Sequence, residues 1–347
     1  MSALLEKLDR SGPKRLLALD GGGVRGILML GFIERLEDLL SKRYHKPDFR
    51  LCEYFDLIGG TSTGAIIAAG LAIGMSAKAI KTKYLELGHA IFGQKNSIVA
   101  YLKSGQKYDP LPLDKILKSL FGHITLGDGF NIKSGLCIVT KRADTHSTWP
   151  FINHPRGKYY EANKNIPLWQ IIRASVAAPT YFLPIVLDLG LRGYPFRWPT
   201  GEHKLMLLSL GTGLKYYPAN YKKFMQTNLL DWAAQLPEFF LHDANYHNQL
   251  ILQLLSQSPH AVEIDSEIGQ LEQDFFNPQP ALSYIRYNVP LNPDYLKKMK
   301  LPFSDNKINQ AGLIDKAANM DLLAEVGILA AEKMLQPEHF AVHFDIK

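Results

Sequence analysis

Hydrophobic and polar positions alternate along this chain in a recurring order: a short apolar run, a stop on glycine, then a longer segment with helical spacing. Arg15 to Leu19 is the first run, and it stops at Asp20-Gly21-Gly22-Gly23-Val24-Arg25-Gly26. Leu30, Ile33, Leu36 and Leu40 then recur on one face of a helix spanning Ile27 to Leu40, with Glu34, Arg35, Glu37 and Asp38 elsewhere. Phe55 to Ile58 begins a second unit that breaks at Gly59-Gly60-Thr61-Ser62-Thr63-Gly64 and resumes as an alanine-rich helix, Ala65 to Ile73. Further on, Ser76 is placed to cap a helix reaching about Ala90, with Ile80, Tyr84, Leu85 and Leu87 apolar. Tyr108 to Leu113, with two prolines, reads as a loop, followed by a short amphipathic helix from Leu113 to Phe121. Leu136 to Thr140 is a buried-strand signal, and Leu205 to Leu210 is another that ends in Gly-Thr-Gly. Between them, Asn165 as cap and Pro167 in the first turn open a helix from Leu168 to Ala178. Strands alternating with helices predict a mostly parallel sheet. Beyond Gly213 the period is largely helical: Thr227 to Gln257, interrupted at Pro237, then a terminal helix capped by Asp321 and running to about Leu335. The apolar stripe of 227–257 is read as core packing rather than as the lining of an acyl-chain pocket.

The two glycine breaks carry the candidate chemistry. Gly60-x-Ser62-x-Gly64 between a strand and a helix has the form of a nucleophile elbow, in which the flanking residues, Gly60, Thr61, Thr63 and Gly64 here, surround a serine on a strained turn. At a helix N-terminus the aligned peptide dipoles favour the negative charge that such a serine and its oxyanion develop. Gly21-x-Gly23-x-x-Gly26 also matches a dinucleotide-binding fingerprint, but no second phosphate-binding feature accompanies it. The two loops make better sense together. If their strands are parallel neighbours, both turns open at one sheet edge, and the glycine loop can donate N–H groups to an oxyanion at Ser62.

Composition narrows the picture without redirecting it. A chain of 347 residues that is 46% hydrophobic can bury a large core, and with neither an internal repeat nor a low-complexity linker it reads as one domain over 1–347. Two cysteines, Cys52 and Cys137, argue against a disulfide framework. No run reaches the length of a membrane span, and the N-terminus lacks a signal-peptide pattern, which points to a cytoplasmic protein or one peripheral on a membrane. The net charge of +6 is scattered rather than clustered, so no nucleic-acid partner is expected. The histidines show no metal-ligand spacing, so neither a metal nor an organic cofactor is expected.

Asp20-Gly-Gly-Gly-x-Arg25-Gly26 followed by Gly60-Thr-Ser62-Thr-Gly64 resembles the patatin-like phospholipases. The likeness continues through Ala174-Ser175-Val176-Ala177-Ala178-Pro179 to Pro184 and at Leu207 to Gly213, so it is strongest over 14–213, with 214–347 a mostly helical part packed on the same domain. The resemblance implies a three-layer α/β sandwich with helices on both faces of a mostly parallel sheet. It also implies a Ser-Asp dyad, with Ser62 as nucleophile and the amides of Gly21, Gly22, Gly23, Val24, Arg25 and Gly26 as the oxyanion hole. The family's Asp-Gly-Gly or Asp-Gly-Ala and its Asn-Asn-Pro turn are absent from Ile185 to Pro199, where Asp188 in Asp188-Leu189-Gly190 is the sole candidate base. Either the chain has lost the base together with a core strand, or the sequence omits a stretch of a longer protein. The second is favoured, because losing an internal strand would expose its neighbours. Ser62, Asp188 and His203 also stand in the order of an α/β-hydrolase triad, a weaker alternative. The expected function is hydrolysis of phospholipid or related lipid esters at a transient membrane surface. A catalytically inactive lipid-binding protein of the same fold is the alternative.

Overall fold

The computed structural model describes residues 3–92, 107–145, 147–178, 182, 198–215, 245–264, 271, 279–298, 304, 307–308 and 311–346. Nine strands are named among them: β1 Lys14–Leu19, β2 Leu57–Thr61, β3 Gly135–Lys141, β4 Thr148–Ile152, β5 Leu205–Leu210, β6 Leu214–Lys215, β7 Ser256–His260, β8 Leu282–Tyr287 and β9 Pro290–Leu291. Seven form one sheet in the order β4-β3-β2-β1-β5-β8-β7, parallel except where β4 runs antiparallel to β3; β6 and β9 pair separately. This is a mostly parallel α/β architecture, as the strand–helix alternation predicts. The order is continuous among the described residues, with β1 bonded to both β2 and β5.

The apolar runs become strands because their side chains are covered on the sheet's faces. Leu17, Leu19, Ile58, Leu136, Ile138, Met206, Leu208 and Leu210 are all nearly inaccessible. Helix α1 (Ala3–Asp9) precedes β1; α2 (Gly26–Arg43) follows the first glycine loop, α3 (Leu51–Tyr54) leads into β2, and α4 (Thr63–Ala72) follows the elbow. Then come α5 (Ala77–Phe92), α6 (Leu111–Phe121), α7 (Leu168–Val176) and α8 (Met320–Met334), the last packed chiefly along α2. Every residue of α4 is buried, which explains its unbroken apolar composition.

A buried ion pair fixes the sheet's other end. Arg15 donates from Nε to Asp56 Oδ2 at 3.1 Å and from Nη2 to Oδ1 at 3.3 Å, while its backbone N–H also meets Oδ2 at 2.9 Å. The pair ties the start of β1 to the residue just before β2, and Leu19 falls opposite Gly60 at the far end. Both glycine breaks therefore emerge at one edge.

Some local expectations differ from the structure. Ser76 does cap its helix, accepting Ala79 N–H at 3.2 Å, but α7 has Pro167 rather than Asn165 at its N-cap and no side-chain cap bond. In α8 the N-cap is Asn319, and Asp321 lies in the first turn, where its charge faces the positive end of the helix. The C-terminal part is less helical than its period suggests. Residues 245–254 are helical, but β7 and β8 follow and extend the sheet. The rest of the 227–257 stripe, 227–244, lies outside the described residues.

Candidate active site

Ser62 sits between β2 and α4 with φ 52° and ψ −124°, one of two non-glycine residues with positive φ among those described. Such a conformation is costly for a residue with a side chain and persists only where its surroundings hold it. Two features hold this one. Gly64 packs so closely beneath the end of β1 that a Cβ there would lie 2.4 Å from Leu19 O and 2.7 Å from Asp20 O. The Ser62 backbone N–H donates to Ser175 Oγ at 2.8 Å, and Ser175 donates onward to Val139 O at 2.6 Å. Thr61, exposed at the end of β2, donates to the same carbonyl at 3.2 Å. The Ser62 side chain is left half-buried at the N-terminus of α4.

The glycine loop lies directly alongside. A Cβ on Gly21 would stand 3.0 Å from the Ser62 Cβ. Gly22 N–H donates to Thr63 Oγ1 at 3.2 Å, and Gly21 O accepts from Thr212 Oγ1 at 3.2 Å. Val24 N–H is committed to Ile314 O at 2.8 Å, Arg25 N–H to Gly22 O at 3.2 Å, and Gly26 N–H to Gly23 O. The Gly23 N–H carries no hydrogen bond to any described residue, and Gly23 itself has φ +56°, a left-handed turn that glycine adopts without penalty. The Arg25 guanidinium turns away to Gly312 O at 3.4 Å.

Three residues that the sequence reading left without a role also support the site. Ser175, within Ala174-Ser175-Val176, holds the elbow through its hydroxyl, a role its motif does not reveal. Tyr84, taken only as an apolar helix position, donates its hydroxyl to Gly23 O at 2.6 Å. Arg286, 3% exposed, reaches from β8 to Asp20 Oδ2 at 2.6 Å, Ser209 Oγ at 2.7 Å and Asn245 Oδ1 at 3.1 Å. The signal for Arg286 was a lone cation inside Leu282-Ser283-Tyr284-Ile285-Arg286-Tyr287, because a charge within a buried strand demands a partner. Asp20, at the head of the glycine loop, is that partner, through its Oδ2.

Other candidates are separated from this edge. Asp188 lies outside the described residues. His203 lies two residues before β5, at the start rather than the end of the parallel strands, and its side chain is 70% exposed beside Glu202. Six residues of extended strand, about 20 Å, stand between it and the elbow edge, so the triad alternative fails on position. The two thiols are no rival nucleophiles: burial pushes that of Cys52 up and that of Cys137 up to about 12. Among the described residues no carboxylate hydrogen-bonds Ser62, and no helix is long and apolar enough to cross a membrane.

Comparison with known proteins identifies the family. The sequence profile of the family described as patatin-like phospholipase matches residues 17–203, from β1 to just before β5. A cGAMP-activated phospholipase of Escherichia coli (strain TW11681) is 30% identical over 172 residues, 49% of this chain and 48% of that protein. Patatin-17 of Solanum cardiophyllum is 31% identical over 176 residues, 49% of this chain and 43% of the relative. Calcium-independent phospholipase A2-gamma of Rattus norvegicus is 33% identical over 192 residues, 51% of this chain and 24% of the relative. The matched stretch thus spans about half the length of the first two relatives and a quarter of the third. The chain belongs to the patatin-like phospholipase family.

Proposed function

We propose that this chain is a serine acyl hydrolase acting on carboxylic esters of phospholipids or related lipids. The observation that carries the reading is the strained Ser62 at the head of α4, beside a glycine loop with an uncommitted Gly23 N–H. In the reaction, Ser62 Oγ attacks the ester carbonyl carbon and passes its proton to a carboxylate base. The oxyanion is held by Gly23 N–H, with Gly21 and Gly22 beside it and the dipole of α4 behind. The Val24, Arg25 and Gly26 amides serve the loop's own shape. Collapse of the tetrahedral intermediate expels the alcohol, which takes the proton back from the base. A water molecule, deprotonated by the same base, then attacks the acyl-serine and frees the fatty acid. Asp188 is the candidate base in this chain. The substrate meets the site at a membrane surface.

Intact mass after exposure to a serine-directed fluorophosphonate, together with fatty-acid release from phospholipid vesicles, tests this. The expected outcome is one adduct, located at Ser62, with hydrolysis that Ser62→Ala lowers by roughly 10⁴-fold or more. No adduct and no hydrolysis, with vesicle binding retained by Ser62→Ala, would instead establish the inactive lipid-binding protein.

A further inference from the structure

Among the described residues the Gly21 and Gly23 N–H groups carry no hydrogen bond, and the peptides on either side of Gly23 are tied down from within the loop and from outside it. On the N-terminal side, Gly22 N–H is held by the Thr63 hydroxyl of α4 and Gly22 O by Arg25 N–H. On the C-terminal side, Gly23 O accepts from the Tyr84 hydroxyl of α5 and from Gly26 N–H, and Val24 N–H is held by Ile314 O. The Gly23 φ of +56° belongs to a residue without a Cβ, so side-chain sterics impose no stop on rotation about its bonds. The hydrogen bonds on each side must supply that stop.

We propose that Tyr84 is a positioning residue for the oxyanion-binding loop, its hydroxyl fixing the Gly23 carbonyl and thereby the direction of the Gly23 N–H. This deepens the hydrolase reading and rests on it. Tyr84 is 2% exposed, and it reaches the loop from α5. Burial holds the phenol well above its ordinary value, with the Thr63 hydroxyl and the Gly26 backbone N–H opposing, so the O–H keeps its proton at neutral pH. A donor aimed before the reaction begins needs no reorganisation as charge develops, which is how an oxyanion hole gains its effect. Packing alone would require only the ring of Tyr84; positioning requires its oxygen.

Tyr84→Phe in the full chain removes that oxygen and keeps the ring. The measurements are kcat and KM on a soluble aryl ester, the rate of fluorophosphonate addition at Ser62, hydrogen–deuterium exchange of the peptide spanning 20–26, and the melting temperature. Tyr54→Phe is the control, since it deletes another buried phenol oxygen away from the loop. Tyr84→Phe is expected to lower kcat by roughly 10- to 100-fold, with KM unchanged, to speed exchange over 20–26, and to leave the melting temperature close to that of the wild type. Tyr54→Phe should leave kcat and that exchange as they were. An unchanged kcat in Tyr84→Phe, an equal loss in Tyr54→Phe, or unchanged exchange over 20–26 would overturn the proposal. If the wild type neither hydrolyses the ester nor takes the label, the hydrolase reading fails. The exchange result then decides by itself whether Tyr84 holds the loop.

Discussion

The two strand–turn–helix units at the centre of the sheet have the same local grammar and opposite outcomes. In β1–loop–α2 the left-handed residue is Gly23, and the product is an uncommitted backbone donor. In β2–elbow–α4 the strained residue is Ser62, and the product is a side chain held out at a helix N-terminus. Glycine adopts its conformation freely, so the loop depends on Tyr84, Thr63 and Ile314 to hold it. Serine stores strain in its conformation, so the elbow depends on close packing and on Ser175. A donor needs orientation; a nucleophile needs exposure. The same turn chemistry supplies either, according to which residue occupies the left-handed position.

The largest effect expected from breaking this arrangement is at Gly64, where the two units touch. A methyl group there would meet the Leu19 and Asp20 carbonyls at 2.4 and 2.7 Å, both of them backbone that cannot move without shifting β1 or the glycine loop. Gly64→Ala should cost about 3 kcal/mol or more in chemical denaturation and remove fluorophosphonate reactivity with it. Gly59→Ala, five residues earlier on β2, is the comparison: its nearest contact would be 3.6 Å, an ordinary separation. It should cost less than about 1 kcal/mol. Equal losses at the two positions would mean that the units are not locked together through Gly64.

A smaller effect of the opposite sign sharpens the contrast between them. Ser62→Gly puts into the elbow the residue that the loop already uses at its own left-handed position. Relieving a left-handed conformation at a non-glycine residue should stabilise the fold by about 1 kcal/mol, partly offset by the added freedom of the unfolded chain. Ser62→Ala, which keeps a Cβ, should show no such gain. Both variants should be inactive, so a rise in melting temperature confined to Ser62→Gly would separate stored strain from lost chemistry. A fall in both would show that the elbow conformation carries no strain.

Much of this pairing was legible in the sequence because glycine and serine at fixed spacing are local signals. Two apolar runs ending on glycines were enough to anticipate adjacent parallel strands and a shared edge. What supports the site was not legible, because it comes from distant positions: Ser175 from α7, Tyr84 from α5, Arg286 from β8 and the Ile314 carbonyl. Tyr84 satisfies the helix period by its ring and does its work by its oxygen, which a hydrophobic pattern cannot register. The strands β7 and β8 were missed for a related reason. Ser256-Gln257-Ser258-Pro259-His260 has almost no apolar content, and it pairs with β8 at the sheet's margin.

That margin offers the last and smallest test, because it ends in titratable rings where the central strands end in glycines. His260 and His339 stack with centroids 4.8 Å apart, and the Tyr287 hydroxyl shares a hydrogen bond of 2.5 Å with His339 Nδ1. Burial pulls both imidazoles below their ordinary value; the charge of His339 adds to this for His260, while Glu338 opposes it for His339. A histidine whose folded pKa is depressed binds its proton more readily in the unfolded chain. Its contribution to stability is therefore complete above the unfolded value, about 6.5, and is lost as the pH falls below it. The melting temperature should hold steady from pH 8 to 7 and drop by roughly 2–4 °C toward pH 5.5, with His339→Gln flattening the drop. The bonds around Ser62 and Gly23 are made by amides and hydroxyls that do not titrate in this range, so exchange over residues 20–26 should stay constant while the C-terminal packing loosens. Parallel loss at both places would mean that the histidine margin and the glycine edge open as one unit, and the contrast between them would then be chemical only.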